Sequence, residues 1–297
     1  MKPLLILLPS ATRWPSLAAL LEHEPTAVRA DLQARLEQGT VGARDAVAAL
    51  PDGSLFLSAG CIRRRGAVGV LGQVFTRPEH RRRGYCRGVL QALLSWFDMS
   101  GGKWLYLTTP ADAAGFLFEN FGFRVLHRGQ RDGRPHVTML RTPAHGHPTP
   151  FDLCDDRTTI RTATRADWPL LVALLQHRPG PDPRVPIDES AIAAETTITE
   201  LIHQAESGLC KLLVAVCKGV VVGLGTLATD REGHRSYAMV LPFDKPPEGL
   251  RAALLEAARQ QGYDQIDFPM QALAGAAPAQ ENTAPTQEGA TPTEPGV

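Results

Sequence analysis

Closely spaced cysteines are missing from this sequence. No C-x-x-C pair occurs, and the five cysteines are scattered along the chain: Cys61, Cys86, Cys154, Cys210 and Cys217. An odd, scattered set argues against a disulfide framework and against a zinc site. We therefore expect a protein that binds no metal and works in the reducing environment of the cytoplasm.

Long apolar runs are missing as well. The apolar run near the N-terminus, Leu4 to Leu8, is shorter than the roughly 7 to 15 residues of a signal-peptide core. No run approaches the ~18 apolar residues that a membrane-spanning helix needs. The sequence therefore predicts neither a secretion signal nor a membrane partner.

The chain has no excess of charge of either sign, because 31 Lys and Arg residues balance 31 Asp and Glu residues. A neutral chain produces no overall field that attracts nucleic acid or an anionic membrane. The sequence also shows no basic face with interleaved aromatic residues, which nucleic-acid surfaces commonly use. We expect no nucleic-acid partner, and any basic site must be local.

The chain does contain a globular composition and an internal repeat. With 43 % hydrophobic and 21 % charged residues, its 297 residues suffice for one large or two ordinary domains. The segment from Trp14 to Pro25 reads WPSLAALLEHEP and that from Trp168 to Pro179 reads WPLLVALLQHRP, with eight of twelve positions identical. This repeat indicates a duplicated domain.

Residue patterns predict a mixed α/β fold (an α+β arrangement with a mixed sheet) for both copies, with a central antiparallel meander. In the first copy we predict strands 3–8, 45–50, 54–62, 66–76 and 103–108, two strands within 124–141, and helices 15–23, 26–38, 84–99 and 112–120. In the second copy we predict strands 158–161, 210–217, 220–229, 235–241 and 263–268, and helices 167–177, 188–206 and 247–261.

These elements divide the chain into a first domain over residues 1–142, a linker over 143–157 and a second domain over 158–270. The second domain lacks the last helix and the last two strands of the first. Residues 271–297 consist almost wholly of Ala, Pro, Thr, Gln, Glu and Gly, which have little to bury, so we predict a disordered tail.

The most distinctive local feature is the stretch RPEHRRRGYCRGVL, which begins at Arg77 and places five arginines in eleven residues. It follows a predicted strand and precedes a predicted helix, so the backbone N–H groups of residues 82–87 are the unpaired donors of a helix start. Gly84 permits a turn with positive φ, and the helix dipole and the arginines favour an anion with several oxygens. The pattern indicates a diphosphate site.

Thr76, Pro78, Arg81, Gly84 and Cys86 match the pattern Val-x-Pro-x-x-Arg/Gln-x-x-Gly-x-Gly/Ala at a strand-to-helix junction. The later segment Phe118 to Phe123, FENFGF, is similar to a Tyr-x-x-x-Gly-Phe motif. Together with the order of elements, these motifs resemble the GNAT N-acetyltransferase superfamily across residues 1–142, and more weakly across 158–270. The resemblance implies two tandem GNAT-like domains, the second degenerate and truncated.

The resemblance also implies an acetyl-CoA site in the first domain. The amides of Arg82, Arg83, Gly84, Tyr85, Cys86 and Arg87 would surround the pyrophosphate of CoA, with added charge from Arg81, Arg82 and Arg87. Val74, Phe75 and Thr76 would pair with the pantetheine arm, and one of their amides would polarise the thioester carbonyl. The implied function is direct transfer of an acetyl group to an amine, in a monomer or homodimer. An acyl-CoA-binding regulatory protein with little turnover is the alternative.

Two positions depart from the family pattern. Cys86 stands where Gly or Ala is usual, either as a tolerated small residue or as a thiol whose pKa is lowered by the helix start. Phe118 stands where the family has the tyrosine that reprotonates the leaving thiolate, and a phenyl ring cannot donate a proton. Asp112 and Tyr85 are therefore candidate catalytic groups, beside His80 and Gln73. Asp112 has the alternative role of a helix cap, and Tyr85 that of packing under the cofactor.

The corresponding junction of the second copy, Lys245 to Arg251, reads KPPEGLR. Pro246 and Pro247 remove two backbone donors, and Glu248 places a negative charge where phosphates would lie. We therefore predict no CoA site in the second domain, which would instead pack against the first and wall its substrate cleft.

For several other residues we expect a structural rather than a chemical role. Arg63, Arg64 and Arg65, followed by Gly66, suggest a solvated hairpin turn, with contact to an acidic substrate or to the adenosine 3'-phosphate as the alternative. The two histidines of the repeat, His23 and His177, are expected on helix surfaces, and the two tryptophans, Trp14 and Trp168, in the core.

Overall fold

The structure, a computed structural model, describes residues 2–24, 26–113, 117–143, 148–151, 158–177, 191–229, 236–241, 247–263 and 266–267. The tail predicted over residues 271–297 lies outside the described residues. Most of the linker predicted over residues 143–157 lies outside them as well.

The first half of the chain forms a seven-stranded mixed sheet. Its elements are β1 (Leu4–Leu7), α1 (Trp14–Leu20), α2 (Thr26–Gln38), β2 (Arg44–Asp52), β3 (Leu55–Arg65), β4 (Val68–Thr76), α3 (Tyr85–Met99), β5 (Trp104–Pro110), β6 (Phe123–Arg131) and β7 (Arg134–Arg141). The strand order is β1-β2-β3-β4-β5-β7-β6. All neighbours are antiparallel except β4 and β5, which are parallel.

The second half forms a separate five-stranded sheet. Its elements are β8 (Thr159–Thr162), α4 (Trp168–His177), α5 (Ala194–Glu206), β9 (Cys210–Cys217), β10 (Val220–Thr229), β11 (Ser236–Leu241), α6 (Leu250–Gln260) and β12 (Ile266–Asp267). The strand order is β12-β11-β10-β9-β8, with β11 and β12 parallel and the other neighbours antiparallel. The mixed α/β fold predicted from the sequence is confirmed.

The spacing of apolar residues explains why Tyr85–Met99 forms helix α3. In α3 the apolar residues Val89, Leu90, Leu93, Leu94 and Phe97 recur at helical spacing and are all buried against the first sheet. The helix ends at Ser100, and Gly101 then adopts a φ of 87°. The prediction of a helix over 84–99 is therefore confirmed.

Residues 112–120 were predicted to be helical. In the described part of this segment, Ala111–Ala113 is α-helical, residues 117–118 are π-helical and Glu119–Phe121 forms a 3-10 turn. Residues 114–116 lie outside the described residues. The ring of Phe118 is buried edge-to-face against Phe123, with ring centroids 5.8 Å apart.

Helix α4 lies between the two sheets and joins them into one core. It packs on β4 of the first sheet and on β10 of the second. Its residues from Trp168 to Gln176 are all buried, which is expected of a helix that is covered on every side. The core prediction for Trp168 is therefore confirmed.

Polar contacts accompany this packing. Gln176 donates a hydrogen bond to Oγ1 of Thr108 at 2.9 Å, and the hydroxyl of Tyr106 lies 3.3 Å from Nδ1 of His177. The ring of His177 also stacks on Phe151, with centroids 5.0 Å apart. The expectation that His177 lies on a helix surface was therefore wrong, because the second half packs against the first at this point.

The expectation that residues 63–65 form a solvated turn was also wrong for Arg63 and Arg64. The turn itself is at Gly66, whereas Arg63 and Arg64 lie within β3 with only 4 % and 8 % of their surfaces exposed. Arg63 donates a hydrogen bond to Asp31 at 3.2 Å, and its guanidinium lies 4.1 Å above the ring of Trp168. These partners are distant in sequence, so the charge run alone could not indicate burial.

Candidate active site

Strands β4 and β5 diverge partway along their length. They pair only where Val68 to Val70 face Trp104 to Tyr106, after which β5 pairs with β7 alone. On its other side β4 continues to pair with β3 as far as Thr76. Within the part of the chain that the structure describes, no strand covers the outer edge of β4 from Leu71 to Thr76. An extended ligand can add to such an edge by backbone hydrogen bonding.

The open edge leads directly into a turn, residues 77–88, which we call the arginine turn. Arg82 and Gly84 have φ values of 60° and 77°, and Gly84 caps α3. Gly88 donates the first helical hydrogen bond, to the carbonyl of Gly84 at 3.2 Å. Among described residues, the N–H groups of residues 82–87 have no backbone acceptor outside α3, and the first N–H groups of a helix have none within it. The predicted strand-to-helix junction is confirmed.

The arginines of this turn are available to a ligand. Arg81, Arg82, Arg83 and Arg87 are exposed, and none forms an ion pair with a carboxylate in the described part of the chain. Nε of Arg81 donates to the carbonyl of Thr76 at 3.2 Å, which holds that side chain across the end of β4. Free amides and unpaired guanidinium groups therefore surround one point, as a diphosphate requires.

Cys86 and Tyr85 begin α3 beside these amides. Burial raises the pKa of the Cys86 thiol to about 11, against a smaller opposing effect of its hydrogen bond with Thr76. The thiol is therefore protonated near neutral pH, which contradicts the alternative of a reactive thiolate and favours a tolerated small residue. The ring of Tyr85 packs on the core of the first sheet, 6.3 Å from the ring of His80.

A cavity of about 910 Å³ adjoins the open edge of β4. Its walls come from both halves of the chain: Gln73 and Val74 of β4, Cys86 of α3, Thr108 and Thr109 of β5, Asp112, Phe118, Arg131 of β6, Arg134 of β7, Asp31 of α2, and Trp168, Glu195 and Thr199 of the second half. Small-molecule sites commonly have volumes of about 300 to 1,000 Å³. The cavity is therefore large enough for a small molecule beside the open edge of β4.

The two catalytic candidates predicted from the sequence, Asp112 and Tyr85, differ in their position relative to this cavity. Asp112 lines it and is exposed, whereas Tyr85 is not among the described lining residues. Phe118 also lines it, but the side chain is 5 % exposed and packs on Phe123. The structure thus brings Asp112 to the cavity and leaves Tyr85 beside the arginine turn.

A buried charge network forms the floor of the cavity next to α2. Arg35 donates to Asp31 at 3.0 Å and to Asp45 at 3.1 Å, and Arg63 donates to the same Asp31 oxygen. Burial opposes ionisation of Asp31, but Arg35 and Arg63 outweigh it and lower the pKa of that carboxyl. Burial, and then the charge of Arg35, lower the pKa of Arg63 to about 10. The network holds α2 to the first sheet by paired charges.

Glu195 is the cavity residue that sequence reasoning missed. It lies in the first turn of α5 and reaches the cavity from the second half of the chain. Its local sequence carries no motif. The only signal that pointed toward it was the expectation that the second domain walls the cleft of the first.

Metal-ligand clusters and membrane-spanning helices are two further features that bear on function. The described residues contain no cluster of three or more His, Cys, Asp or Glu side chains arranged to hold a metal ion. No described helix combines the length and the apolar character needed to cross a membrane.

One protein-family model matches a segment in the first half of the chain. Residues 53–131, from the β2–β3 turn to the end of β6, match the model of the family described as FR47-like protein. No curated protein matches the chain.

Several solved structures resemble part of the chain. One is a ribosomal-protein-S18-alanine N-acetyltransferase from Escherichia coli, with 17 % identity, a TM-score of 0.40, and coverage of 50 % of this chain and 100 % of that one. Another is an aminoglycoside 6'-N-acetyltransferase complexed with coenzyme A, with 13 % identity, a TM-score of 0.39, and coverage of 50 % and 99 %. An acyl-CoA N-acyltransferase from Pseudomonas aeruginosa shows 17 % identity, a TM-score of 0.36, and coverage of 48 % and 100 %.

Similarity of this extent carries no argument about activity or substrate. The family match, by contrast, covers the segment that contains the open β4 edge and the arginine turn. Residues 53–131 of this chain are thus similar to the family described as FR47-like protein.

Proposed function

We propose that this chain is an N-acetyltransferase that moves an acetyl group from acetyl-CoA directly to an amine. The observation that carries the proposal is the meeting of three features at one place. The open edge of β4 ends in the arginine turn, and both adjoin a cavity large enough for an acceptor. Such a site can bind a diphosphate, an extended arm and a second substrate together.

In this proposal the amides of residues 82–87 hold the pyrophosphate, and the exposed arginines of the turn add charge-assisted hydrogen bonds. The pantetheine arm lies along Val74, Phe75 and Thr76, with its amide groups paired to the free edge of β4. A backbone N–H of this edge then faces the thioester carbonyl and stabilises the negative charge that develops on its oxygen.

Asp112 stays a candidate for proton transfer, because it lines the cavity and is open to solvent. Tyr85 stays a candidate as well, as the first residue of α3 and a member of the arginine turn. Phe118 cannot supply a proton, so the thiolate of CoA takes its proton from one of these groups or from water.

We propose further that the two halves are duplicated domains and that the second has lost CoA binding. Both have four consecutive antiparallel strands followed by a parallel fifth, and both open with a 3-10 turn before a Trp-Pro helix. Gly249 caps α6 with a φ of 80°, as Gly84 caps α3. Glu248, which is exposed, precedes that cap, whereas Lys245 and Pro246 lie outside the described residues.

The test combines binding with turnover. Calorimetry should show acetyl-CoA binding, and removal of two charges by Arg82→Ala with Arg87→Ala should weaken the affinity by about tenfold or more, given ~1.5 to 3 kcal/mol per hydrogen bond to a charged group. The matched control is Arg259→Ala, an exposed arginine of α6, which should leave the affinity unchanged.

Thiol release from acetyl-CoA should then be measured with a polyamine, an aminoglycoside, a lysine-containing peptide and a peptide with a free α-amino group. Release that depends on one of these amines supports the transferase. Binding of acetyl-CoA without release across the set would contradict it and favour the regulatory alternative.

A further inference from the structure

The carboxylate of Glu195 lies against the strand that would hold the thioester. A methyl group on the α-carbon of Gly72 would be 3.3 Å from Oε2 of Glu195, so the carboxylate sits directly on the backbone of β4. The next residue, Gln73, has a φ of 49°, and the register with β3 shifts here. Glu195 therefore reaches the point where β4 bends away from β5 and the cavity begins.

The Glu195 carboxylate is uncommitted. With the described residues it forms neither a hydrogen bond nor an ion pair, whereas Asp31, which lines the same cavity, and Asp45 of β2 are both paired. Asp31 and Asp45 share Arg35, and Asp31 also accepts from Arg63. Glu195 is thus a carboxylate that faces the cavity without a structural partner.

Charges from every side of the cavity act on this carboxyl. Burial raises its pKa to about 7, and Glu24, which follows α1, acts in the same direction. Arg131 of β6, Arg63 of β3 and Arg35 of α2 oppose that rise. A carboxyl group of this kind exists in both protonation states near neutral pH, as a proton acceptor for an amine requires.

We propose that Glu195 is the general base of the acetyl transfer, contributed by the second half of the chain to the cavity of the first. This inference rests on the proposed function. It gives the second half a catalytic role, through a side chain in the first turn of α5 that reaches Gly72 of β4.

The proton balance follows from the chemistry. The ammonium form of the acceptor gives one proton to Glu195 and becomes a neutral amine. Its lone pair forms the C–N bond to the thioester carbon, and the C–S bond breaks with its electron pair going to sulfur. The nitrogen loses its second proton, which the thiolate takes up to give free CoA. Glu195 then releases the first proton to solvent, and all atoms and charges balance.

The inference is tested with the amine that supports turnover in the panel. Glu195→Gln keeps the size of the side chain and removes the base, so kcat/KM should fall by about 100-fold or more. Wild-type kcat/KM should rise with pH through about 7, because the base acts only when deprotonated, and this rise should be absent in the variant. Glu195→Asp, which retains the carboxylate, should keep the pH dependence at a reduced rate.

Two controls separate this role from a structural one. Glu200→Gln changes an exposed glutamate on the same helix and should leave kcat/KM and its pH dependence unaltered. The affinity of Glu195→Gln for acetyl-CoA should equal that of the wild type, since the proposal assigns the CoA phosphates to the arginine turn and not to Glu195 of α5.

The outcomes are distinct. Wild-type turnover with an unchanged rate and pH profile in Glu195→Gln would overturn this inference and leave the proposed function intact. Absence of wild-type turnover with every amine would contradict the proposed function and, with it, the role of Glu195. Loss of rate together with loss of the pH-dependent rise would support both.

Discussion

Gly84 shows how one residue sets the geometry of the candidate CoA site. Its φ of 77° lies in the left-handed region, which costs a residue with a β-carbon about 1 to 2 kcal/mol. A β-carbon at Gly84 would meet nothing within 4 Å, so the requirement is conformational rather than steric. The positive φ turns the chain so that the amides before and after it belong to one concave surface.

We expect Gly84→Ala to lower the free energy of unfolding by about 1 kcal/mol and to weaken CoA binding, because relief of the strained φ would reorient the amides. Denaturant unfolding and calorimetry measure the two effects. Gly219→Ala, at a φ of 82° in the β9–β10 turn, carries the same conformational cost away from the site. If both variants lost CoA affinity equally, the geometric role of Gly84 would be disproved.

At the scale of elements, the start of α4 depends on Asp167. The carboxylate is fully buried and accepts hydrogen bonds from the amide and hydroxyl of Thr164 at 2.9 and 3.0 Å. It also pairs with Arg161 of β8 at 2.7 Å and with Arg65 of β3. Asp167 thus completes a capping box with Thr164 at the 3-10 turn that precedes α4, and it pairs with one arginine from each sheet.

Asp167→Asn should lower the free energy of unfolding by about 3 to 5 kcal/mol, the usual cost of removing one partner of a buried ion pair. The exposed Asp132→Asn should have little effect. Burial opposes ionisation of Asp167, but the hydrogen bonds from Arg161 and Thr164 and the charge of Arg65 lower its pKa overall.

The stability that Asp167 contributes is therefore present above the ordinary aspartate pKa of about 3.9 and is lost as the pH falls through the lower folded value. Acid titration of unfolding should show a smaller loss in Asp167→Asn than in the wild type. Equal acid sensitivity in the two proteins would assign the effect to other groups.

At the scale of the whole molecule, the two sheets share α4 and the cavity but differ at their strand-to-helix junctions. The first junction offers free amides and unpaired arginines. The second has Pro247, which lacks an N–H, and the acidic Glu248 just before its capping glycine. Sheets of similar topology thus carry different chemical groups at their strand-to-helix junctions.

Calorimetry should accordingly find one CoA site per chain. The affinity of this site should fall by about tenfold or more in the Arg82→Ala and Arg87→Ala double variant and stay unchanged in Glu248→Gln. A stoichiometry of two would contradict the proposal that the second half has lost CoA binding.

Features that depend on residues close together in the sequence could be predicted from it. The bounds of α3 follow from its apolar spacing, and the arginine turn follows from a strand end, a glycine and a helix start. The burial of Arg63 could not be predicted, because it depends on Asp31 and Trp168, which approach it only after folding.

By itself, the sequence determined the mixed α/β class, the repeat of the Trp-Pro helix and the position of the free amides at the start of α3. Backbone donors at a helix start follow from local φ and ψ, which a short segment specifies. Only the tertiary structure decided which side chains meet at the cavity and in what state of charge. Glu195 approaches Gly72 because α5 packs near β4, and its raised pKa arises from burial in that contact. Desolvation and pairing depend on neighbours that the chain acquires only on folding.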